Sequence, residues 1–372
     1  MADAPLLRRT LDSARNALEL LHAGRLGDTW GAPYEVVDVG EHHRLRRYTV
    51  GADARGPVVL LVPPLMVTSE VYDIDADLSA VAALGRMGVQ PFVVDFGAPE
   101  REEGGMTRTL DDHVVAAARC ITRTRELTGR DVHVCGYSQG GMFAYQSAAY
   151  LRAEGVRSVI TFGSPVDMHK SLPAVHRDAT SALLRIAEPV ATQVFARIEA
   201  LPGALTSTGF KVLSGRKEIA ARLEFLQNLH DRGALVRREA RRRFLGGHGF
   251  VAWPGPALRA FVDQLVVHNR MLSGGMVIDG RTVSLADITC PILAFIGTRD
   301  ELARPAAVRA IRAAAPAAEV HFVDVRAGHF GLVVGSTALR VTWPTVAGFV
   351  RHVEGTGPLP DALRPSAPTP AV

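Results

Sequence analysis

Asp131-Val132-His133-Val134-Cys135-Gly136-Tyr137-Ser138-Gln139-Gly140-Gly141-Met142-Phe143-Ala144-Tyr145-Gln146-Ser147-Ala148-Ala149-Tyr150-Leu151 is the stretch on which the fold turns. Its opening residues form a short apolar run, as expected of a strand buried in a parallel sheet. Its closing residues are good helix formers without proline. Between them, Gly136-Tyr137-Ser138-Gln139-Gly140 reads G-x-S-x-G. A chain that leaves a strand and enters a helix through this pattern places its serine on a sharp, strained elbow, with the hydroxyl clear of the sheet. The flanking positions are glycine because a Cβ there would collide across so tight a turn. In a chain with 35 glycines the pattern alone is weak. Its weight comes from the order strand, elbow, helix, and Ser138 is the expected nucleophile.

The same alternation extends outward from the elbow. Residues 1–33 form a leading helical segment, with Leu7, Leu11, Ala14, Leu18 and Leu21 at helical spacing. Residues 34–39 and 44–50 read as an antiparallel start, and Val58–Val62 as a fully apolar strand stopped by Pro63-Pro64. Ile74, Leu78, Val81 and Leu84 predict one helix, and residues 90–95 the next strand. Thr109-Leu110-Asp111-Asp112 resembles a capped helix start. Residues 156–163 give another strand, after which the rhythm stops near Ser164 and resumes at Pro291–Gly297. A helix from Ala306, a strand at 320–325 and a helix near 343–352 follow. Strands alternating with helices predict an α/β fold with a mostly parallel, doubly wound sheet. The expected division is a core of 34–165 and 287–354, a helical cap inserted at 166–286 over the carboxyl edge of the sheet, and a Pro-, Ala- and Gly-rich tail at 355–372, disordered or the start of a linker.

Composition narrows the function classes. Hydrophobic residues make up 47% and charged residues 22%, an ordinary globular balance. The net charge of +4 rests almost wholly on arginine, since only Lys170, Lys211 and Lys217 are lysines. The run Arg237-Arg238-Glu239-Ala240-Arg241-Arg242-Arg243 reads as a solvated helix face, with phosphate binding as the alternative. Nothing supports a nucleic-acid partner. Cys120, Cys135 and Cys290 fit neither a disulfide framework nor a metal site. No signal-peptide core and no transmembrane run occurs, so a cytoplasmic setting is expected.

An elbow serine needs a base to take its proton and an acid to hold that base. In folds of this kind the chain order is Ser, then Asp or Glu, then His. Asp300 follows the strand at 292–297, and His329 follows the last strand, so both belong at the sheet's carboxyl edge beside Ser138. Glu301 is a substitute acid, and Asp324, within a strand, a poorer one. Among thirteen histidines, His321 opens a strand, while His248 and His268 fall in the cap as further pocket candidates. An oxyanion site needs two donors. The N–H of Gln139 is one. The other comes from the loop after residues 58–62, where Pro63 and Pro64 have no N–H to give, leaving Leu65 or Met66.

Taken together, Val62-Pro63-Pro64-Leu65, Val94-Asp95-Phe96-Gly97, the elbow with Gln139-Gly140-Gly141 and Phe162-Gly163-Ser164-Pro165-Val166-Asp167 resemble the polyhydroxyalkanoate synthases of the α/β-hydrolase fold. So do Phe261-Val262-Asp263-Gln264 with Asn269-Arg270, Ile288-Thr289-Cys290-Pro291 and Gly328-His329-Phe330-Gly331-Leu332-Val333-Val334-Gly335. The likeness spans roughly residues 55–350, and it matches Asp300 and His329 to the family's catalytic acid and base. It is similar in turn to a hydrolase-like region attached to some bacterial acyl-CoA synthetases, which implies such a synthetase as a partner or fusion. A homodimer is a further expected association. One departure matters: the synthases carry cysteine at the elbow, where this chain has Ser138. Serine turns a thioester into an oxoester of lower energy, which puts polymer growth in doubt and leaves acyl-enzyme chemistry intact. The expected activity is that of a serine hydrolase or acyltransferase on hydroxyacyl or fatty acyl esters or thioesters. Acyl-CoA enters as a substrate, with no cofactor and no metal. A polymer synthase, a polyester depolymerase and a non-catalytic docking module are the alternatives.

Overall fold

The computed structural model describes residues 4–23, 26, 31–51, 55–171, 200–203, 225 and 227–364. One sheet of eight strands organises them: β1 (Tyr34–Gly40), β2 (His43–Tyr48), β3 (Val58–Val62), β4 (Gln90–Asp95), β5 (Val132–Tyr137), β6 (Val156–Phe162), β7 (Ile292–Gly297) and β8 (Val320–Val325). Their spatial order is β1-β2-β4-β3-β5-β6-β7-β8. From β4 to β8 every neighbouring pair is parallel, and β1 and β2 add an antiparallel start. The α-helices of six residues or more among the described residues are α1 (Ala4–Ala23), α2 (Ala80–Arg86), α3 (Leu110–Thr128), α4 (Gln139–Tyr150), α5 (Arg232–Arg243), α6 (Gly255–Ala260) and α7 (Trp343–Val353).

β3, β5 and β7 are buried along their whole length because helices cover both faces. Alternate residues feed two cores. Leu60, Val62, Val134 and Ile296 pack with Val114 and Ile121 of α3 and Phe143 of α4. Val59, Leu61, Cys135 and Phe295 pack on the other side with Leu84 of α2 and Val346 and Phe349 of α7. The two-sided parallel sheet with this strand order is an α/β-hydrolase fold.

Local chemistry sets the element ends. Thr109 caps α3 reciprocally: its hydroxyl accepts the Asp112 N–H at 3.1 Å, and the Asp112 carboxylate accepts the Thr109 N–H at 2.8 Å. The helix expected through Ile74, Leu78, Val81 and Leu84 is shorter than its apolar spacing suggests. Short turns at Ser69–Tyr72 and Ala76–Leu78 precede α2. The Asp75 side chain accepts the Asp77 N–H, and the Ser79 hydroxyl accepts the Ala82 N–H while donating to Asp73 at 2.6 Å. These side chains satisfy the backbone in two places and restart the chain, although the apolar stripe still faces inward.

Of the cap expected at 166–286, residues 172–199, 204–224 and 226 lie outside the described residues. The described part includes α5, α6 and, in place of helix, a short hairpin pairing Met276–Ile278 with Arg281–Val283. Of the expected tail, residues 365–372 lie outside the described residues, and Leu363 packs on the α7 side of the core.

The parallel strands end at one edge. Val62 pairs with Gly136, Tyr137 with Phe162, and Gly297 with Val325. The loops that follow β3, β5, β6, β7 and β8 therefore emerge side by side. At β5 the exit is the elbow. A Cβ on Gly136 would stand 2.2 Å from the Gly140 carbonyl oxygen, and one on Gly140 would stand 2.1 Å from the Val62 carbonyl oxygen. Both obstacles are backbone, which cannot step aside.

Two predictions follow from this packing. Gly140→Ala drives a methyl into the β3 backbone and costs at least about 3 kcal/mol; thermal unfolding measures it, and an unchanged midpoint contradicts the close approach. The second concerns His113 in the first turn of α3, fully buried against Phe96 and Phe143, with Nδ1 2.7 Å from the Thr109 carbonyl. Burial disfavours the imidazolium and brings its pKa down to about 4. The folded value lies below the unfolded one, so the unfolded chain takes up the extra proton as pH falls from 6.5 towards 4. Stability is thus complete above that window and is lost through it. Between pH 7 and 4.5, His113→Phe should lose roughly 2–3 kcal/mol less than the parent in denaturant titrations. Equal acid sensitivity would rule out this assignment.

Candidate active site

Ser138 closes β5 and caps α4 with φ 55° and ψ −122°, a left-handed backbone that costs a non-glycine residue about 1–3 kcal/mol. Hydrogen bonds on both sides hold it there. Its N–H donates to the Phe162 carbonyl at 2.9 Å, and its carbonyl accepts from Gly141 and Met142 at 3.0 and 3.2 Å. The hydroxyl is part-exposed, at the amino terminus of a twelve-residue helix. The positive end of that helix favours developing negative charge.

His329 opens the turn after β8, and its Nε2 lies 2.8 Å from the Ser138 Oγ. Its Nδ1 lies 2.7 Å from Oδ2 of Asp300, in the loop after β7. A carboxylate facing Nδ1 only accepts, so the proton of the neutral ring sits on Nδ1 and Nε2 is left to take the serine proton. The second oxygen of Asp300 accepts the N–H groups of Leu302 and Ala303, each at 2.9 Å, which fixes the carboxylate. The Asp300 side chain is fully buried and the imidazole nearly so. Tyr137 packs its ring 5.0 Å from the imidazole, beneath the elbow.

The loop after β3 lies across α4's first residue. The Leu65 N–H donates to Oε1 of the buried Gln139 side chain at 3.1 Å. The N–H groups of Val67 and Thr68 go to the carbonyls of Pro64 and Gly249, at 3.2 and 3.0 Å. Among the described residues neither the Met66 N–H nor the Gln139 N–H has an acceptor. The Met66 carbonyl accepts from Val251 at 3.1 Å, and an isolated antiparallel bridge between Val67 and Phe250 ties this loop to the cap.

The other sequence candidates lie apart from this group. Asp324 is exposed and pairs with Arg309 at 2.6 Å. Glu301 is exposed, and the neighbouring Asp300 meets the imidazole in its stead. His268 bonds the Asp263 carbonyl, His321 pairs with Glu319, and His248 is exposed. Of the arginine run, Arg242 pairs with Glu239 at 3.9 Å, while Arg241 lies over the ring of Phe330, next to His329. All three cysteines are buried and outside disulfides, and burial pushes their thiols up, that of Cys290 to about 12. That environment suits packing and not nucleophilic attack.

Two contributors escaped the sequence. Tyr72 is fully buried, donates its hydroxyl to the Val62 carbonyl at 2.7 Å and accepts the Tyr137 N–H at 3.1 Å, joining β3 to β5 below the elbow. The side chain of Gln139 was read only for its backbone. Neither carries a local signal, because each makes a decisive contact with a residue more than sixty positions away. Among the described residues no group of three or more His, Cys, Asp or Glu is placed to hold a metal ion. No helix among them is long and apolar enough to cross a membrane.

No protein-family profile matches the chain. Six curated relatives do, all named poly(3-hydroxyalkanoate) polymerase subunit PhaC. That of Allochromatium vinosum is 27% identical over 357 residues, covering 93% of this chain and 97% of its own length. That of Haloferax mediterranei is 24% identical over 365 residues, covering 96% and 71%. Among solved structures, the thioesterase domain from the curacin biosynthetic pathway matches with a TM-score of 0.48 and 15% identity, over 86% of this chain and 98% of its own. None of the six relatives is named an acyl-CoA synthetase, so the expected attachment to one finds no support there. The chain is an α/β-hydrolase-fold protein similar, over more than nine-tenths of its length, to the PhaC subunits of poly(3-hydroxyalkanoate) polymerases.

Proposed function

We propose that this chain is a serine acyl enzyme, a hydrolase or acyltransferase, whose nucleophile is Ser138, base His329 and acid Asp300. The observation that carries the reading is the pair of consecutive hydrogen bonds, 2.8 Å from serine to imidazole and 2.7 Å from imidazole to carboxylate. In the proposed sequence, Oγ bonds to the acyl carbon as its proton passes to Nε2 of His329. The carbonyl oxygen becomes an oxyanion held by the Gln139 N–H and a donor from the loop after β3. Collapse expels a thiolate or alkoxide, which takes the proton from Nε2 and leaves an acyl-serine ester. Water or an acceptor hydroxyl then repeats the route in reverse and frees the enzyme. Asp300 keeps the imidazole in the required tautomer throughout.

The relatives are named for 3-hydroxyalkanoate polymerisation, which favours a 3-hydroxyacyl group, and the donor we propose is its CoA thioester. They also sustain the second reading, a polymerase in which the acceptor is the hydroxyl of a growing chain. Serine bears on that choice because its oxoester stores less energy than the thioester a cysteine would hold. Water or a small alcohol is the acceptor we favour; a polyester in place of the thioester would make the chain a depolymerase.

Turnover of 3-hydroxybutyryl-CoA separates the outcomes. The favoured result is thiol release with free 3-hydroxybutyrate. Insoluble oligomer would establish the polymerase, and ester cleavage without thiol release would move the substrate to oxoesters. Ser138→Ala and His329→Ala should each lower kcat by at least about a thousandfold, with the double variant hardly worse, because the two act as a unit. Independent, multiplying losses would contradict the shared role.

A further inference from the structure

Gln139 is 4% exposed, and its side chain is fully committed at one end and uncommitted at the other. Oε1 accepts the Leu65 N–H at 3.1 Å, while Nε2, also buried, meets no acceptor among the described residues. The orientation is fixed by chemistry: turning the amide over would set two donors against each other. One residue thus follows the nucleophile, offers its own N–H at the start of α4, and grips through its side chain the loop that must supply the second donor.

The loop's own bonding decides which donor that is. The N–H groups of Leu65, Val67 and Thr68 are all committed, to Gln139 Oε1, Pro64 O and Gly249 O. Met66 keeps a backbone N–H with no acceptor among the described residues, and a buried or half-buried N–H needs one. Its carbonyl, in the peptide that follows, accepts from Val251 and so holds the residue from the cap side.

We propose that the Gln139 side chain is a positioning residue which sets the width of the oxyanion pocket, and that Met66, not Leu65, supplies the loop's donor. This rests on the acyl-enzyme reading above. Clamping Leu65 to the elbow holds the next peptide at a fixed distance from the Gln139 N–H. The two donors are then spaced for one oxygen before substrate arrives, which is what preorganisation requires. The clamp acts through the pocket and not on the ground-state substrate, so its loss appears in kcat before KM.

Gln139→Met keeps the length and removes the acceptor. With a p-nitrophenyl acyl ester, kcat should fall roughly 10- to 100-fold with KM little changed. The inhibition constant of an alkyl trifluoromethyl ketone, whose serine hemiketal bears the oxyanion, should rise by the same factor. Leu65→Pro deletes the clamped N–H from the other side and should cost the same factor, with the double variant no worse than either single change. If Leu65→Pro loses far more than Gln139→Met and the losses multiply, Leu65 itself is the donor and the proposal is overturned. Unchanged kcat and ketone affinity in Gln139→Met overturn it equally. Should Leu65→Pro not fold by circular dichroism, the Gln139→Met arm decides alone. A parent protein that neither turns over the ester nor binds the ketone defeats the acyl-enzyme reading itself, and this proposal with it.

Discussion

A single residue in left-handed backbone, Ser138, governs the rest of the molecule. Held at φ 55° between the end of β5 and the start of α4, it must be paid for by its surroundings. The surroundings are backbone: the carbonyls of Val62, Phe162 and Gly140 close round the turn with no room for a side chain at positions 136 and 140. β3, β5 and β6 lie side by side in the sheet because the elbow needs all three. The hydroxyl stands at the carboxyl edge for the same reason, and the loops after β7 and β8 bring Asp300 and His329 to that edge.

Much of this was legible in the sequence because it follows from periodicity. Short apolar runs such as Val58–Val62 and Ile292–Gly297, bounded by proline or glycine, read as buried parallel strands, and the placing of Ser138, Asp300 and His329 follows from the loops after their strands. Legibility ended where long-range hydrogen bonds decide. The spacing of Ile74, Leu78, Val81 and Leu84 looks helical, but Asp75 and Ser79 capture backbone N–H groups and break the run. The choice between Leu65 and Met66 could not be made from residue types. It turns on where each N–H is spent, and one of them is spent on a glutamine 74 positions away. Tyr72, which bridges β3 and β5, is hidden from spacing for the same reason.

The likeness to the PhaC subunits and the serine at the elbow pull the chemistry in different directions. The relatives that match more than nine-tenths of the chain are named for poly(3-hydroxyalkanoate) polymerisation. A serine ester is a less activated intermediate than a cysteine thioester, and the cysteine next to the elbow, Cys135, is buried in β5 with its thiol held protonated. The nucleophile cannot migrate to sulfur without rebuilding the strand. On the proposed reading the elbow captures the acyl group, and its release depends on which hydroxyl the pocket admits.

The proposed chemistry stands or falls on whether His329 activates the Ser138 hydroxyl in the folded protein. Incubation with a fluorophosphonate, followed by peptide mass spectrometry, tests it most directly. One adduct is expected, on Ser138, and it should disappear when the protein is denatured beforehand or carries His329→Ala. A folded protein left unlabelled at Ser138, or labelled equally well without the imidazole, would contradict it.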